Sequence, residues 1–443
     1  MSLRESGKLR LGVAGLGTVG AGLLRLVERQ AELRIPGKVE VTAVSARNRS
    51  RDRGVDISGM RWVDDPVELA RGDDVDVLVE LVGGADGPAK LAVEAAMKAG
   101  KPVVTANKAL IAEHGMEIAR LSETHGAPIL FEAAVAGAIP IVRSLRNSLS
   151  GVQVTRVSGI LNGTCNYILS EMLRTGAAYE DVLADAQRLG YAEADPYLDV
   201  SGMDAAHKVL ILAAIAFGAQ PDFSQVHVEG VSEVEAMDIA LANRFDYRIK
   251  LVAEAFRTNG VRNGAGRSAA GVQCRVGPVL VRMDHPLAQV DGPLNAVVVE
   301  GEPVGRLTFT GPGAGAGPTA AAVMGDIARL FEGDLGPPLG RAPDALEELI
   351  HEPRPEMDQG SFFIGAKLMD RAGVLSDLAE ALGDSEVSID KIIQDSAGET
   401  GAAPVAVMTH MCPRSAVVAA LKRVEDQNIA VDKPRLLRIE TRS

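Results

Sequence analysis

The feature that most constrains how this chain folds is Gly15-Leu-Gly17-Thr-Val-Gly20, which follows the apolar run Leu9 to Ala14 and precedes a helical pattern. Small residues at this spacing, between a strand and a helix, allow a tight turn and let a pyrophosphate sit on the helix N-terminus. Gly15, Thr18 and Val19 with Gly17 and Gly20 are therefore candidate dinucleotide contacts. The chain has 47 glycines, so the string carries weight only through its context. That context is favourable: Val39 to Val44, Val75 to Val82, Val103 to Thr105 and Ile129 to Phe131 are short apolar runs separated by helix-like stretches. This is a βαβ rhythm, hence a Rossmann-type parallel sheet with helices on both faces. The second strand runs into Ser45-Ala-Arg47-Asn-Arg49, where NAD-binding chains place an acidic residue for the ribose hydroxyl. Arg47 suits the 2'-phosphate of NADP. A solvated basic loop is the competing reading, and NAD stays open.

At 443 residues the chain exceeds one ordinary core. The parallel-sheet domain is expected over 1–136 and an α+β domain over 137–317, with apolar residues mostly at helical spacing from about Gly137 to Leu189 and strands from Tyr247 to Phe309, among them Val272 to Val281 and Ala296 to Val299. A glycine-rich loop, Gly311 to Gly317, leads into a helix over 318–333 that is expected to pack back on the first domain. Pro, Gly and acidic residues make 334–360 a linker. Beyond it, 361–443 reads strand, helix, strand, strand, helix, strand, a separable unit.

Several function classes are disfavoured at this level. The composition is 47% hydrophobic and 24% charged, and no apolar run has the roughly 18–20 residues of a membrane span. Met1 to Arg10 is short and polar with no room for a signal peptide, so a cytoplasmic location is expected. The net charge of -13 argues against a nucleic-acid partner. Cys165, Cys274 and Cys412 are far apart, which supports neither a disulfide framework nor a zinc site. Of the seven histidines only His207 and His410 lie in motifs.

Val103-Val-Thr105-Ala-Asn-Lys108 puts a lysine just past the C-terminal end of a parallel strand, where open α/β sheets bind ligands. The richest stretch runs from Leu189 to Lys208 and includes Glu193, Asp195, Asp199 and Asp204. Asp204 and Lys208 stand at i and i+4 and share one helix face. The helix continues as an almost wholly apolar run to Phe217, so a charge pair at its start fits a lined cleft better than open solvent.

This segment resembles the signature of homoserine dehydrogenases at Ala186, Gly190, Asp195-Pro196, Asp199, Gly202, Asp204 and Lys208. The Ser158 to Leu169 stretch, the strand end at Lys108 and Gly311 to Thr319 resemble the same family in the same order. The resemblance implies interconversion of L-homoserine and L-aspartate 4-semialdehyde with a nicotinamide cofactor. It implies Lys208 as proton donor, Lys108 as a second catalytic lysine that also meets the nicotinamide, Glu193 and Asp199 as substrate contacts, and Asp204 as the group that orients substrate and lysine. It adds Thr105 and Gly315 to the cofactor contacts. It further implies a monovalent cation such as Na+ on the loop Glu132-Ala-Ala-Val135-Ala-Gly137-Ala-Ile139. A helix cap is the competing reading for Glu132, and the family's second glycine is replaced by Ala138.

Phe362 to Leu375 and Val405 to His410 look like an ACT domain, a ferredoxin-like βαββαβ unit that binds small amino acids. Its loop reads Asp370-Arg-Ala-Gly373 without the usual proline. The resemblance implies feedback regulation, with threonine as the expected effector, and a homodimer or homotetramer. Two alternatives remain: another amino-acid dehydrogenase on this scaffold, disfavoured by Glu193, Asp204 and Lys208, and a non-catalytic amino-acid sensor, disfavoured by intact Lys108 and Lys208.

Overall fold

The structure is a computed structural model describing residues 7–262, 268–333, 335–347, 359–397 and 401–440, with side chains undescribed at 258–262 and 268–270. The chain opens with β1 (Lys8–Ala14), α1 (Thr18–Glu28), β2 (Lys38–Ser45), β3 (Arg61–Trp62), α2 (Pro66–Arg71), β4 (Val77–Glu80), α3 (Pro88–Lys98), β5 (Val103–Thr105), α4 (Lys108–His125) and β6 (Ile129–Leu130). The strands are all parallel, in the order β3-β2-β1-β4-β5-β6. The order reverses between β1 and β4, so a crevice opens past their carboxyl ends. Covered on both faces, such strands read as continuous apolar runs; Val77, Leu78 and Val79 are all fully buried.

The next segment carries α5 (Ile141–Arg143), β7 (Gln153–Ile160), α6 (Gly163–Thr175), α7 (Tyr179–Leu189), α8 (Tyr197–Val200), α9 (Met203–Phe217), β8 (Val226–Val228), α10 (Ala236–Arg244), β9 (Tyr247–Arg262), β10 (Ser268–Arg282), β11 (Leu294–Glu302), β12 (Gly305–Pro312) and α11 (Ala316–Leu330). Helix α9 is capped at both ends by left-handed glycines, Gly202 and Gly218, and its Val209 to Ala214 run is buried against the sheet. Helix α11 leaves the second domain, and its Ala320, Val323 and Ile327 join the core of the first. It lies so close to α1 that a Cβ on Gly22 would come within 2.9 Å of the Ala316 carbonyl oxygen.

Three expectations need correction, the third in the C-terminal unit. Strand β7 occupies part of the stretch in which helical spacing was expected. Its buried residues include Arg156 and Ser158, polar groups that hide the strand pattern, and Arg156 is neutralised by Glu254 on β9 and Glu440. The expected linker is, over 335–347, a strap laid on the body. Leu335 and Leu339 are buried, Arg146 donates to the carbonyls of Leu335 (2.9 Å) and Pro337 (3.0 Å), and the Glu347 backbone pairs with Gly218 and Gln220. Asp334 and residues 348–358 of that expected linker lie outside the described residues.

The C-terminal unit contains β13 (Gln359–Met369), α12 (Val374–Gly383), β14 (Ile389–Gln394), β15 (Ala402–Thr409), β16 (Cys412–Pro413), α13 (Arg414–Asp426) and β17 (Arg435–Ile439). It is not separable in the sense expected from sequence. Strand β17 pairs in parallel with β10 through Val279↔Arg438 and Leu280↔Ile439, so one sheet runs β12-β11-β7-β9-β10-β17-β13-β15-β14. Helix α10 lies across this unit: Asp238 is fully buried, receives Arg435 at 2.6 Å, and would meet a Cβ on Gly365. Lys367 and Arg435 also pair with Glu235 at 2.7 and 2.9 Å, and Arg414 pairs with Glu229 at 2.8 Å.

Candidate active site

At the carboxyl edge of the parallel sheet, Ala14 of β1, Glu80 of β4 and Thr105 of β5 are in register. Gly15 turns the chain in the left-handed region (φ 100°), and a Cβ there would come within 2.5 Å of the Leu81 carbonyl oxygen. Gly20 touches the same turn, its Cβ position falling 2.2 Å from the Gly15 oxygen. Gly17, by contrast, has nothing within 4 Å of a Cβ, and no side chain caps α1, which begins with Thr18 and Val19. An open glycine at an uncapped helix N-terminus fits a dinucleotide pyrophosphate. Gly315 (φ 117°) caps α11 beside α1, so two helix N-termini lie together. Arg47 is exposed just beyond β2, while Arg49 and Arg53 lie over the Trp62 ring at 5.9 and 5.7 Å and Arg53 also donates to the Leu16 carbonyl. The Thr105 hydroxyl is turned inward to Glu80 at 2.5 Å, which leaves its backbone as the part that can meet a cofactor.

The second cluster centres on Asp204, in the first turn of α9. Its Oδ2 accepts from Lys208 Nζ (2.6 Å) and Asn162 Nδ2 (3.0 Å), and its Oδ1 faces Lys108 Nζ at 3.1 Å. Lys108 is the first residue of α4, so the pair joins the parallel-sheet domain to the α9 domain. Lys208 also donates to the Leu161 carbonyl at 2.7 Å. Asn162 reaches Asp199 Oδ1 as well, at 2.8 Å. Burial opposes the charge of Asp204, but Lys208 and Lys108 hold its carboxyl well below the ordinary carboxylate range. Asp199 moves the other way, raised by burial and by the neighbouring Asp204 charge. Asp204 in turn raises the Lys108 ammonium, against burial, with help from Asp199 and Glu193. Two carboxyls pushed in opposite directions beside two lysines form the kind of perturbed charge cluster that marks a functional site. Glu193 is exposed on the rim, after α7.

The remaining residues fall into place differently. Glu132 accepts from the backbone of Val142 (2.9 Å) and Arg143 (2.8 Å), so its carboxylate is a helix cap. Its own carbonyl accepts from Val135 N, and the Ile139 carbonyl from Ile141 N; Gly137 lies against Gly313. His207 is held by Glu113 at 3.2 Å and by the Phe223 ring, a packing role. Asn162, Glu80 and Asn107 were not singled out from sequence. Asn107 caps α4 and donates to the Gly84 carbonyl, fixing the base of Lys108. Asn162 and Asn107 gave a signal through their places in the Ser158 to Leu169 and Val103 to Lys108 motifs; Glu80 gave none.

Residues 140–328 match the family model for homoserine dehydrogenase, 15–132 that for the homoserine dehydrogenase NAD binding domain, and 362–428 that for the ACT domain. Homoserine dehydrogenase of Neisseria gonorrhoeae is 39% identical, with 98% of this chain and 99% of the relative aligned. The crystal structure of a homoserine dehydrogenase from Thiobacillus denitrificans superposes with a TM-score of 0.87 at 37% identity, over 98% of both chains. A hyperthermophilic archaeal homoserine dehydrogenase, solved in complex with NADPH, superposes with a TM-score of 0.62 at 25% identity, over 75% of this chain and 99% of that one.

Proposed function

This chain belongs to the homoserine dehydrogenase family, and from that premise we propose that Lys208 carries the proton in the interconversion of homoserine and aspartate semialdehyde. It is a nicotinamide-dependent oxidoreductase with an ACT domain. The observation that carries the assignment is the Asp204 carboxylate held between Lys208 and Lys108, past the carboxyl end of the parallel sheet. The bound cofactor supplies or takes up hydride. An ammonium has three donors. Two of those on Lys208 are directed at Leu161 and Asp204, which leaves the third for the substrate oxygen. In reduction Lys208 gives its proton to the oxygen on which charge develops; in oxidation it takes the proton from the homoserine hydroxyl. Lys108 adds positive charge at the cofactor side, Asp204 orients both lysines, and Asp199 with Glu193 recognises the substrate's amino-acid end.

We assign the dinucleotide to Gly15, Gly17, Thr18, Val19 and Gly20, with Gly315 and the Thr105 backbone beside them, and favour NADP through Arg47. The NADPH bound by the archaeal relative supports that preference. A monovalent cation such as Na+ stays a candidate ligand of the loop from Glu132 through Val135 and Gly137 to Ile139, because the Glu132 and Ile139 carbonyls each accept one hydrogen bond and keep a second lone pair. The ACT unit is read as a threonine-responsive regulatory module and the enzyme as a cytoplasmic homodimer or homotetramer. No described helix is long and apolar enough to cross a membrane. Steady-state assays with homoserine and either NADP or NAD, following reduced-nicotinamide absorbance, test the reading. It fails if neither cofactor is reduced.

A further inference from the structure

We propose that Asn295 is a positioning residue that links the glycine-rich loop Gly311 to Gly317 to the Lys208 ammonium. The inference rests on Lys208 being the proton carrier. The register of the sheet puts Asn295 at a junction. On one side β11 pairs with β7, with Ala296 opposite Ile160; on the other it pairs with β12, with Asn295 opposite Gly311. The side chain is 1% exposed. Its Nδ2 donates to the Leu161 carbonyl at 3.1 Å, the same oxygen that receives Lys208 at 2.7 Å. A carbonyl has two lone pairs. With the amide on one of them, the oxygen is held in place for the lysine on the other.

The far side of the amide meets the loop. A Cβ on Gly313 would fall 2.0 Å from the Asn295 Cγ, so glycine is required there and the loop backbone lies flat on the amide. The Asn295 Oδ1 has no hydrogen-bond partner among the described residues, although it is fully enclosed. A buried amide oxygen left unpaired costs about 1–3 kcal/mol. Such an orphan in a native protein calls for a role in function or for a water or ion that reaches it. The loop is placed to bring a partner, because two residues on it becomes Gly315, the N-cap of α11 beside the cofactor turn. A shift of this loop toward the pyrophosphate or nicotinamide moves a backbone N–H relative to Oδ1. Through the amide it sets the Leu161 oxygen, and through that the direction of the ammonium. Cofactor binding and proton transfer are thereby joined by three contacts, with no domain movement needed.

The test is a cycle of Asn295→Ala, Gly313→Ala and the double variant in the full chain, with Lys208→Ala alongside. Asn295→Ala is expected to lower kcat roughly tenfold, while the Kd for NADP stays within about threefold, because the amide acts on the reacting proton. In aldehyde reduction the alkaline limb of the pH profile moves to lower pH, since an ammonium whose carbonyl acceptor is no longer held in line with it gives up its proton more readily. A purely structural role would lower the melting temperature without moving that limb. Gly313→Ala drives a methyl into the amide and is expected to lose a similar factor. Once the amide is gone the methyl has room, so the double variant is expected to be no worse than the poorer single one. Multiplicative losses, or a folded Asn295→Ala protein with unchanged kcat and pH profile, overturn the proposal. If Lys208→Ala itself retains turnover, the proton-carrier reading fails and takes this inference with it. An inactive Lys208→Ala beside a normal Asn295→Ala removes this inference alone.

Discussion

Replacing Asp204 by asparagine tests the charge arrangement with almost no change in shape. Asp204 Oδ2 serves Lys208 and Asn162, and Oδ1 serves Lys108. The amide has one oxygen for these two places, so its NH2 group must face at least one donor. Losing a hydrogen bond between charged groups costs about 1.5–3 kcal/mol. If the loss falls on the transition state, kcat/KM for homoserine drops roughly 10- to 150-fold. Stability falls as well, because Lys208 is 9% exposed and breaking a buried pair costs about 3–5 kcal/mol. The contribution of Lys108 is smaller, as its side chain is 39% exposed and screened by solvent. The dependence on pH has a definite sign. The Asp204 carboxyl is held below its unfolded value of about 3.9. Its stabilisation is therefore complete above that pH and fades as the pH falls through the folded value. The stability gap between the parent and Asp204→Asn should be flat near neutrality and close only below about pH 4. Initial rates at saturating NADP and urea unfolding at several pH values give both quantities. A kcat/KM within threefold of the parent, together with an unchanged unfolding midpoint, would refute the reasoning.

Lys208→Ala should lose roughly 10²- to 10⁴-fold in turnover while still binding the dinucleotide, and cofactor titration of the variant against its initial rate shows whether the two effects separate. Arg47→Ala should raise KM for NADP more than for NAD, since only NADP has the phosphate a guanidinium can grip; equal changes would make the arginine a general surface charge. Gly15→Ala combines a left-handed backbone with a Cβ 2.5 Å from the Leu81 oxygen, so weaker cofactor binding and a lower melting temperature are expected, and an unperturbed variant would show that the turn relaxes easily. Truncation after Gly340 should yield an unstable protein rather than a desensitised enzyme, because it takes Glu440 from Arg156 and β17 from β10; a stable, active product would contradict that.

Much of this architecture was legible in the sequence, and the gaps have physical causes. Strands β1, β2, β4 and β5 stand out because burial on both faces forces apolar runs, and the Gly15 to Gly20 turn because only glycine fits the contacts at Gly15 and Gly20. The grouping of Lys108 with Asp204 and Lys208 was legible through family resemblance, since the residues come from two domains. Strand β7 escaped because Arg156 is buried on it, and the neutralising Glu254 and Glu440 lie 98 and 284 positions away. The strap at 335–347 reads as a linker because its anchors are carbonyls, which any residue offers, gripped by Arg146. The autonomy expected of the C-terminal unit failed for a similar reason: Arg435, Lys367 and Asp238 look like ordinary surface charges until the fold sets them against each other.

The shared sheet also has a consequence for how the protein is made. A ribosome adding about 5–20 residues per second delivers Glu440 roughly 15–60 s after Arg156, given the 284 positions between them. In the later part of that interval, once β10 has been made, the nascent catalytic sheet presents the β10 edge without β17, and Arg156 and Arg275 crowd Glu254 before Glu440 reaches Arg156. An unpaired strand edge is a template for another chain. Expression hosts that crowd polysomes or lack holdase chaperones should therefore lose this protein to aggregation before release, and a slowed codon stretch after β10 should worsen the yield while leaving the purified enzyme unchanged.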